Sequence, residues 1–266
     1  MLILFIMIKF EKWHGNGNDF FIVNAIDNKI KIKKSFIKKA ANRNKGIGFD
    51  QLVKIDIPTK DTHDFFIRFF NCDGSEAKMC LNGIRCAASY IWNNSFAPRN
   101  ELSLMTKMGI VNCIPSKSSK VSVAIKKPVP IQDDRFHKII KNKLDKNYSL
   151  LNIGNNHLCI KMSSIEKIDL IKIYDELPVS LKEIAINLSV YKKKGNKIYI
   201  RTYENGVGET LSCGSAALCT ASIYINNKVR AIEVNSIGGK LNFKKYNNGI
   251  LINGSASFIF KGNVND

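Results

Sequence analysis

Acidic residues are scarce in this chain: 22 Asp and Glu stand against 41 Lys and Arg over 266 residues, which leaves a formal net charge of +19. Such a balance suits either an anionic partner or a lysine-rich solvated surface. The second reading is preferred. The lysines scatter among Asn and Ile, and the runs at Lys31–Lys34 and Lys192–Lys194 are short. No helix-turn-helix, zinc-finger or RNA-binding signature is present, so no nucleic-acid partner is expected. Cys-x-x-Cys pairs are also absent. The seven cysteines are odd in number and widely spaced, which argues against a disulfide framework and a structural zinc site. Free thiols fit a reducing compartment, so a cytoplasmic location is expected, with no metal. No stretch reaches the ~20 apolar residues of a membrane helix. The apolar opening MLILFIMIKF lacks the basic lead and small-residue cleavage site of a signal peptide, and Met1 and Met7 both stand as candidate starts. No dinucleotide or nucleotide-triphosphate fingerprint occurs, so no cofactor is expected.

What the chain does hold is one stretch twice. IRFFNCDGSEAKMCLNGIRCAAS, residues 67–89, returns as IRTYENGVGETLSCGSAALCTAS, residues 200–222. Ile67-Arg68 align with Ile200-Arg201, Glu76 with Glu209, Cys80 with Cys213 and Cys86 with Cys219, each 133 residues apart, half of the 266-residue chain. An ungapped repeat of this period indicates two structurally similar halves. The repeated pattern reads strand, Gly-rich turn, cysteine, helix, and sets one cysteine at a helix start in each half.

Further parallels surround it. Asn18 follows the loop HGNGN and precedes an apolar strand, as Asn155 does after Ile153-Gly154. Gln51 and Asn187 each open a strand, and Asn71 corresponds to Glu204. A chance turn does not account for four polar positions recurring in one order. Ser35 is expected to cap a helix over 36–43, and helices are expected over 81–94 and 214–227, with helical material between 168 and 186 broken at Pro178. The Pro-containing stretch at 126–134 is the expected boundary, giving halves at 1–127 and 128–255, with 256–266 returning to the first.

A helix N-terminus lowers a thiol pKa, because backbone N–H groups and the helix dipole favour the thiolate. The same N–H groups bind carboxylates. Two such thiols facing one molecule across a cleft suit proton exchange at carbon: one removes an α-proton and the other returns a proton to the opposite face, inverting the centre. Cys72, Cys86, Cys113, Cys159 and Cys219 are expected to be small buried hydrophobes. Glu76 and Glu209 are expected to hydrogen-bond their turns. His157 reads equally as a buried structural histidine and as a proton acceptor beside a thiol. A second function class, a catalytically silent binder of anionic partners, is disfavoured by the intact cysteine pair.

The segments HGNGNDF, NKGIGFDQ, FNCDGSEAKMCLNGIRC, IGNNH, Asn187 and YENGVGETLSCGSA span nearly the whole chain, and together they resemble the diaminopimelate epimerase family. The resemblance implies a mixed α/β (α+β) fold of two pseudo-symmetric halves, each a curled, barrel-like sheet around a central helix, with the active site in the cleft between them. It implies a homodimer and an isomerase without pyridoxal phosphate, turning LL-2,6-diaminopimelate into the meso form for lysine and peptidoglycan precursors. Cys80 and Cys213 take the acid/base roles. Substrate contacts in the first half fall to Asn18, Gln51, Asn71, Leu81 and Asn82. Those in the second fall to Asn155, Asn187, Glu204, Asn205, Gly214 and Ser215, with His157 and Glu204 as acid/base support. The chain departs from the family pattern at Leu81, where the family has glycine, and at Asn205, where it has the arginine that grips the distal carboxylate. The alternative reading is therefore a related cofactor-independent racemase acting on another amino acid.

Overall fold

In a computed structural model, which describes residues 7–27, 30–117, 119–143 and 147–265, the chain begins with a hairpin. β1 (Met7–Gly15) turns into β2 (Asn18–Asn24) through Asn16 and Gly17. Both turn residues have positive φ, 56° and 82°. That is the backbone a two-residue turn needs to match the strand twist, and Asn-Gly adopts it at low steric cost. The opening residues 1–6, and with them the choice of start, lie outside the described residues.

The chain divides into two units, Met1–Ala124 with Asn253–Asp266, and Ile125–Ile252. The first continues through α1 (Lys34–Ala41), β3 (Gln51–Asp56), β4 (Phe65–Asn71), β5 (Glu76–Ala77), α2 (Leu81–Asn93), β6 (Leu102–Thr106), β7 (Gly109–Pro115) and β8 (Lys120–Lys126). β2 runs parallel to β3, and β3 antiparallel to β4. β4 is antiparallel to the short β5 and parallel to β6, which pairs antiparallel with β7. The C-terminal strand Ser257–Asn265 lies antiparallel along β1.

Phe20, Phe21, Ile22 and Val23 of β2 are fully buried, so this strand is covered on both faces. Successive side chains point to opposite faces. Phe21 and Val23 pack with Phe36 and Ile37 of α1, while Phe20 reaches α2 at Gly83. A Cβ on Gly83 would meet the Phe69 ring at 2.6 Å and the Phe20 ring at 3.1 Å, so only glycine lets helix and sheet approach this closely. Every residue of α2 from Leu81 to Trp92 is buried. It packs against β1, β2, β3, β4 and β7, which explains a helix without a polar face.

The second unit holds β9 (Val129–Pro130), α3 (Asp134–Lys143), β10 (Tyr148–Asn152), β11 (Asn156–Lys161), α4 (Leu170–Asp175), α5 (Val179–Glu183), β12 (Asn187–Lys194), β13 (Lys197–Glu204), β14 (Gly208–Thr210), α6 (Gly214–Tyr224), β15 (Ala231–Ser236), β16 (Gly239–Tyr246) and β17 (Gly249–Ser255). Ser257–Asn265 is then β18. The wiring repeats step for step. β10 and β11 form a hairpin, β11 is parallel to β12, and β12 is antiparallel to β13. β13 is antiparallel to the short β14 and parallel to β15, which pairs antiparallel with β16. α6 takes the place of α2, packing on β10, β11, β12, β13, β15 and β16. Leu170, Tyr174 and Leu181 of α4 and α5 pack with Leu158, Ile160, Leu188 and Val190. The fold is thus α/β with two halves of one topology. Among the described residues no helix is long and apolar enough to cross a membrane.

Candidate active site

Cys80 is the N-cap of α2 and Cys213 the N-cap of α6, both with extended backbone. The carbonyl of Cys80 accepts from Ile84 N–H at 2.8 Å, and that of Cys213 from Ala217 N–H at 3.0 Å. In each unit a short strand leads to the cysteine, and a bidentate ion pair braces that strand. Arg68 Nε donates to Glu76 Oε1 at 2.8 Å, and Arg201 Nε donates to Glu209 Oε1 at 2.7 Å. Glu76 and Glu209 were expected to bond their turns. Instead each reaches diagonally across an antiparallel pair, since Glu76 stands opposite Phe70 and Glu209 opposite Tyr203, to the arginine two residues along on the same face.

In the first unit, Cys80 Sγ donates to Asn18 Oδ1 at 3.5 Å, and Asn82 Nδ2 donates to the same oxygen at 3.4 Å. Asn18 Nδ2 donates to Asp50 Oδ2 at 2.8 Å. Gln51 lies opposite Asn71 in the β3–β4 register, and its Nε2 donates to Asn71 Oδ1 at 2.9 Å. Gln51 Oε1 is buried with no hydrogen-bond partner among the described residues, which leaves it an acceptor to offer. Leu81, the first helical residue, is buried. Beside this group, burial pushes the Asp19 carboxyl up, but hydrogen bonds and charge from Arg43 and Lys12 outweigh it and hold Asp19 at about 2.

In the second unit, Cys213 Sγ donates to Glu204 Oε2 at 3.2 Å and lies 3.3 Å from Ser215 Oγ. Asn155 Nδ2 donates to Ser215 Oγ at 3.4 Å. Asn187 Oδ1 accepts from the Asn205 backbone N–H at 3.0 Å. The exposed Asn205 side chain accepts from the Tyr174 hydroxyl at 2.6 Å. Gly214 opens α6. His157 pairs in register with Asn187, is fully buried, and neither ring nitrogen has a partner among the described residues. Burial lowers it to about 4, so it is a neutral imidazole at pH 7.

Two expectations fail here. Cys213 is not a thiol lowered by its helix end: burial and the adjacent Glu204 carboxylate raise it well above its ordinary value, against smaller opposing effects from Ser215 and the Ala216 N–H. Cys72 is exposed rather than buried, its thiol donating to the Phe49 and Asp50 carbonyls at 2.9 and 3.2 Å. Cys86, Cys113, Cys159 and Cys219 are buried.

Three residues that the sequence did not point to contact the candidate residues. Thr210 Oγ1 donates to Glu204 Oε1 at 2.6 Å and fixes that carboxylate. Tyr174 stacks on Tyr203 at 4.1 Å and holds Asn205. Arg85, fully buried, donates to Asn82 Oδ1 at 2.8 Å. Thr210 follows the duplicated Glu209 directly, which is a usable signal. Tyr174 lies in helical material with no counterpart in the repeat.

Known proteins resemble this chain along nearly its full length. The sequence model of the diaminopimelate epimerase family matches residues 10–129. A diaminopimelate epimerase of Methanocella arvoryzae is 32% identical, over 97% of this chain and 96% of that protein. One from Legionella pneumophila is 30% identical, over 97% and 99%. Among solved structures, a Bacillus anthracis phenazine biosynthesis protein of the PhzF family superposes with a TM-score of 0.69 at 15% identity, over 97% of this chain and 99% of that one, a likeness of fold alone. With relatives this similar along nearly its full length, the chain belongs to the diaminopimelate epimerase family.

Proposed function

We infer that this chain is a diaminopimelate epimerase, an isomerase that inverts one α-carbon of LL-2,6-diaminopimelate to give the meso form for lysine and peptidoglycan precursors. The observation that carries the reading is the duplicated half-site: a cysteine N-cap on a buried helix, flanked by amide or carboxylate strand ends, in each unit of a chain from this family. One thiolate takes the α-hydrogen as a proton, and the C–H electron pair passes into the α-carboxylate. The other thiol gives its proton to the opposite face. Each turnover leaves the two sulfurs with exchanged protonation and no net change of charge. First-turn N–H groups, those of Leu81 and Asn82 or of Gly214 and Ser215, bind the α-carboxylate and stabilise the charge that builds there. Asn18, Gln51, Asn71, Asn155, Asn187 and Glu204 orient the α-amino group and chain, and His157 supports the second half as a neutral ring. We read the two units as the two epimerase halves. No cofactor enters these steps.

Asn205 stands where the family has arginine, so the distal carboxylate is held with less charge. Asn205 is exposed, and an arginine there gains a charge-assisted bond without burial. Such bonds contribute roughly 1.5–3 kcal/mol. Asn205→Arg is therefore expected to raise kcat/KM for diaminopimelate by about 10-fold through KM, and to leave exchange of monocarboxylic amino acids unchanged. A fall in kcat/KM for diaminopimelate alone would remove the dicarboxylate assignment.

We also propose a homodimer and a cytoplasmic location. Phe258, Ile259 and Phe260 of β18 are consecutive and each more than 40% exposed, a patch of the kind that marks a protein interface. Phe260→Asp is expected to shift a sedimenting dimer to monomer, and a wild type that sediments as monomer at all concentrations would refute the pairing. The seven free cysteines fit a reducing compartment.

A further inference from the structure

The two half-sites are alike in wiring but opposite in charge. Arg85 sits one turn into α2, and its side chain is fully buried. All its acceptors are neutral: Asn82 Oδ1 at 2.8 Å, Leu81 O at 3.2 Å, Ser255 O at 3.3 Å and Asn16 Oδ1 at 3.4 Å. Among the described residues no carboxylate pairs with it. A buried cation without a counter-ion is costly, and near a helix N-terminus it adds to the positive end of the dipole rather than opposing it. The repeat sets Leu218 at the corresponding place in α6, 133 residues on. Conversely, the first unit has neutral Asn71 where the second has Glu204, whose Oε2 accepts from Cys213 Sγ.

We propose that Arg85 is a positioning residue of the first half-site, which holds Asn82 and Asn18 against Cys80 and biases Cys80 toward the thiolate while Cys213 keeps its proton. The contact path is short: Arg85 to Asn82, Asn82 to Asn18, and Asn18 to the Cys80 sulfur. The Asn18 oxygen accepts from the thiol, so this path sets position and the bias toward the thiolate comes from the buried charge. A guanidinium stays protonated in proteins, and its field is weakly screened inside the fold. Burial lowers Arg85 from its usual value, and the neighbouring thiols, Cys80 among them, oppose that shift.

Other charged groups around α2 are compensated or remote. On β1 and β2, Lys12 pairs with Asp19, and Arg43 bridges Asp19 and Asp50. On β3, Lys54 pairs with Asp56, and on β4, Arg68 pairs with Glu76, which also binds Lys107. Glu11 of β1 accepts from Asn94 at the far end of α2. The Cys86 thiol and the Cys113 thiol of β7, near Glu101, are pushed far up by burial and stay neutral. Arg99 lies over the Trp92 ring near the far end of α2, and Arg85 is a fully buried cation with no carboxylate partner among the described residues.

This inference deepens the two-thiol reading given above, and its test needs no substrate. Wild-type protein is alkylated with iodoacetamide across a pH series, and each cysteine is followed by peptide mass spectrometry. The Cys80 midpoint is expected to lie below that of Cys213. Arg85→Met, checked for native circular dichroism, is expected to raise the Cys80 midpoint by about one unit or more and leave Cys213 in place. Arg85→Lys, which keeps the charge, is expected to hold it near the wild-type value. A Cys80 midpoint at or above that of Cys213 in the wild type overturns the proposal, as does an unmoved midpoint in folded Arg85→Met. Where Arg85→Met does not fold, the wild-type order and a raised midpoint in Arg85→Lys decide against it in the same way. Wild-type protein with the expected midpoints and no epimerase activity would strike the epimerase reading and leave the role of Arg85 intact.

Discussion

Cys80→Ala and Cys213→Ala are each expected to lose about 100- to 10,000-fold in epimerisation kcat, the range for removing a positioned acid or base. Inversion needs a proton taken from one face and given to the other, and a single thiol serves one face. In deuterated water the wild type should place deuterium at the α-carbon of either stereoisomer. Each variant should show little of it, and their losses should not multiply in the double variant, because either deletion already stops the cycle. Neither cysteine side chain makes the capping bond of a Ser or Asp N-cap, so alanine at either place is expected to leave the fold in place. Wild-type turnover in either variant would end the two-thiol mechanism.

Acid should unfold this protein earlier than its carboxylates alone require. His157 titrates at about 4 in the folded chain against an ordinary 6.5. Its folded value is depressed, so the unfolded chain binds the extra proton between pH 6.5 and 4. Stability is whole above 6.5 and falls as the pH drops through that window, by about 3 kcal/mol at the limit. Asp19 acts lower down: held at about 2, it stabilises the fold above its ordinary 3.8, and that contribution is lost as pH falls through about 2. Urea titrations at pH 7, 6, 5 and 4 should show the wild type losing stability where His157→Leu stays nearly flat. Parallel curves for the two proteins would contradict a buried neutral imidazole. The leucine carries no ionisable group, and neither nitrogen it replaces has a hydrogen-bond partner among the described residues. The cost at pH 7 should therefore be small.

The repeat made the positions of Cys80 and Cys213 legible, because strand, glycine turn and helix leave the cysteine no place but the cap. It also set Asn18, Gln51 and Asn187 at strand starts, where β2, β3 and β12 begin. What stayed hidden needed register or burial. Arg68 and Glu76 were both aligned with their copies, yet their pairing depends on strands β4 and β5 folding back antiparallel. Ser35 was expected to cap a helix over 36–43, but α1 starts at Lys34 and its N-cap is Lys33. The Pro-containing stretch at 126–134 was expected as a boundary, but its own structure was not legible: Val129–Pro130 pairs with β10 and α3 follows at Asp134. The lowered thiol expected at a helix end held no account of Glu204, since a carboxylate nine residues earlier becomes a neighbour only through the β13–β14 turn.

The return of β18 to β1 has a consequence for the order in which the protein is made. Met7 pairs with Asn265 and His14 with Ser257, so β1 leaves the ribosome about 250 residues ahead of its partner strand. The second unit, Ile125–Ile252, is complete in one continuous run and can close during translation, as domains fold in units from the N-terminal side. Until β18 is released, β1 keeps an open strand edge, the kind of surface on which nascent chains pair wrongly. The Ser255 carbonyl that accepts from Arg85 arrives just ahead of β18. The first unit is therefore expected to close only once residues 253–265 have been made, when all of the second unit is already outside.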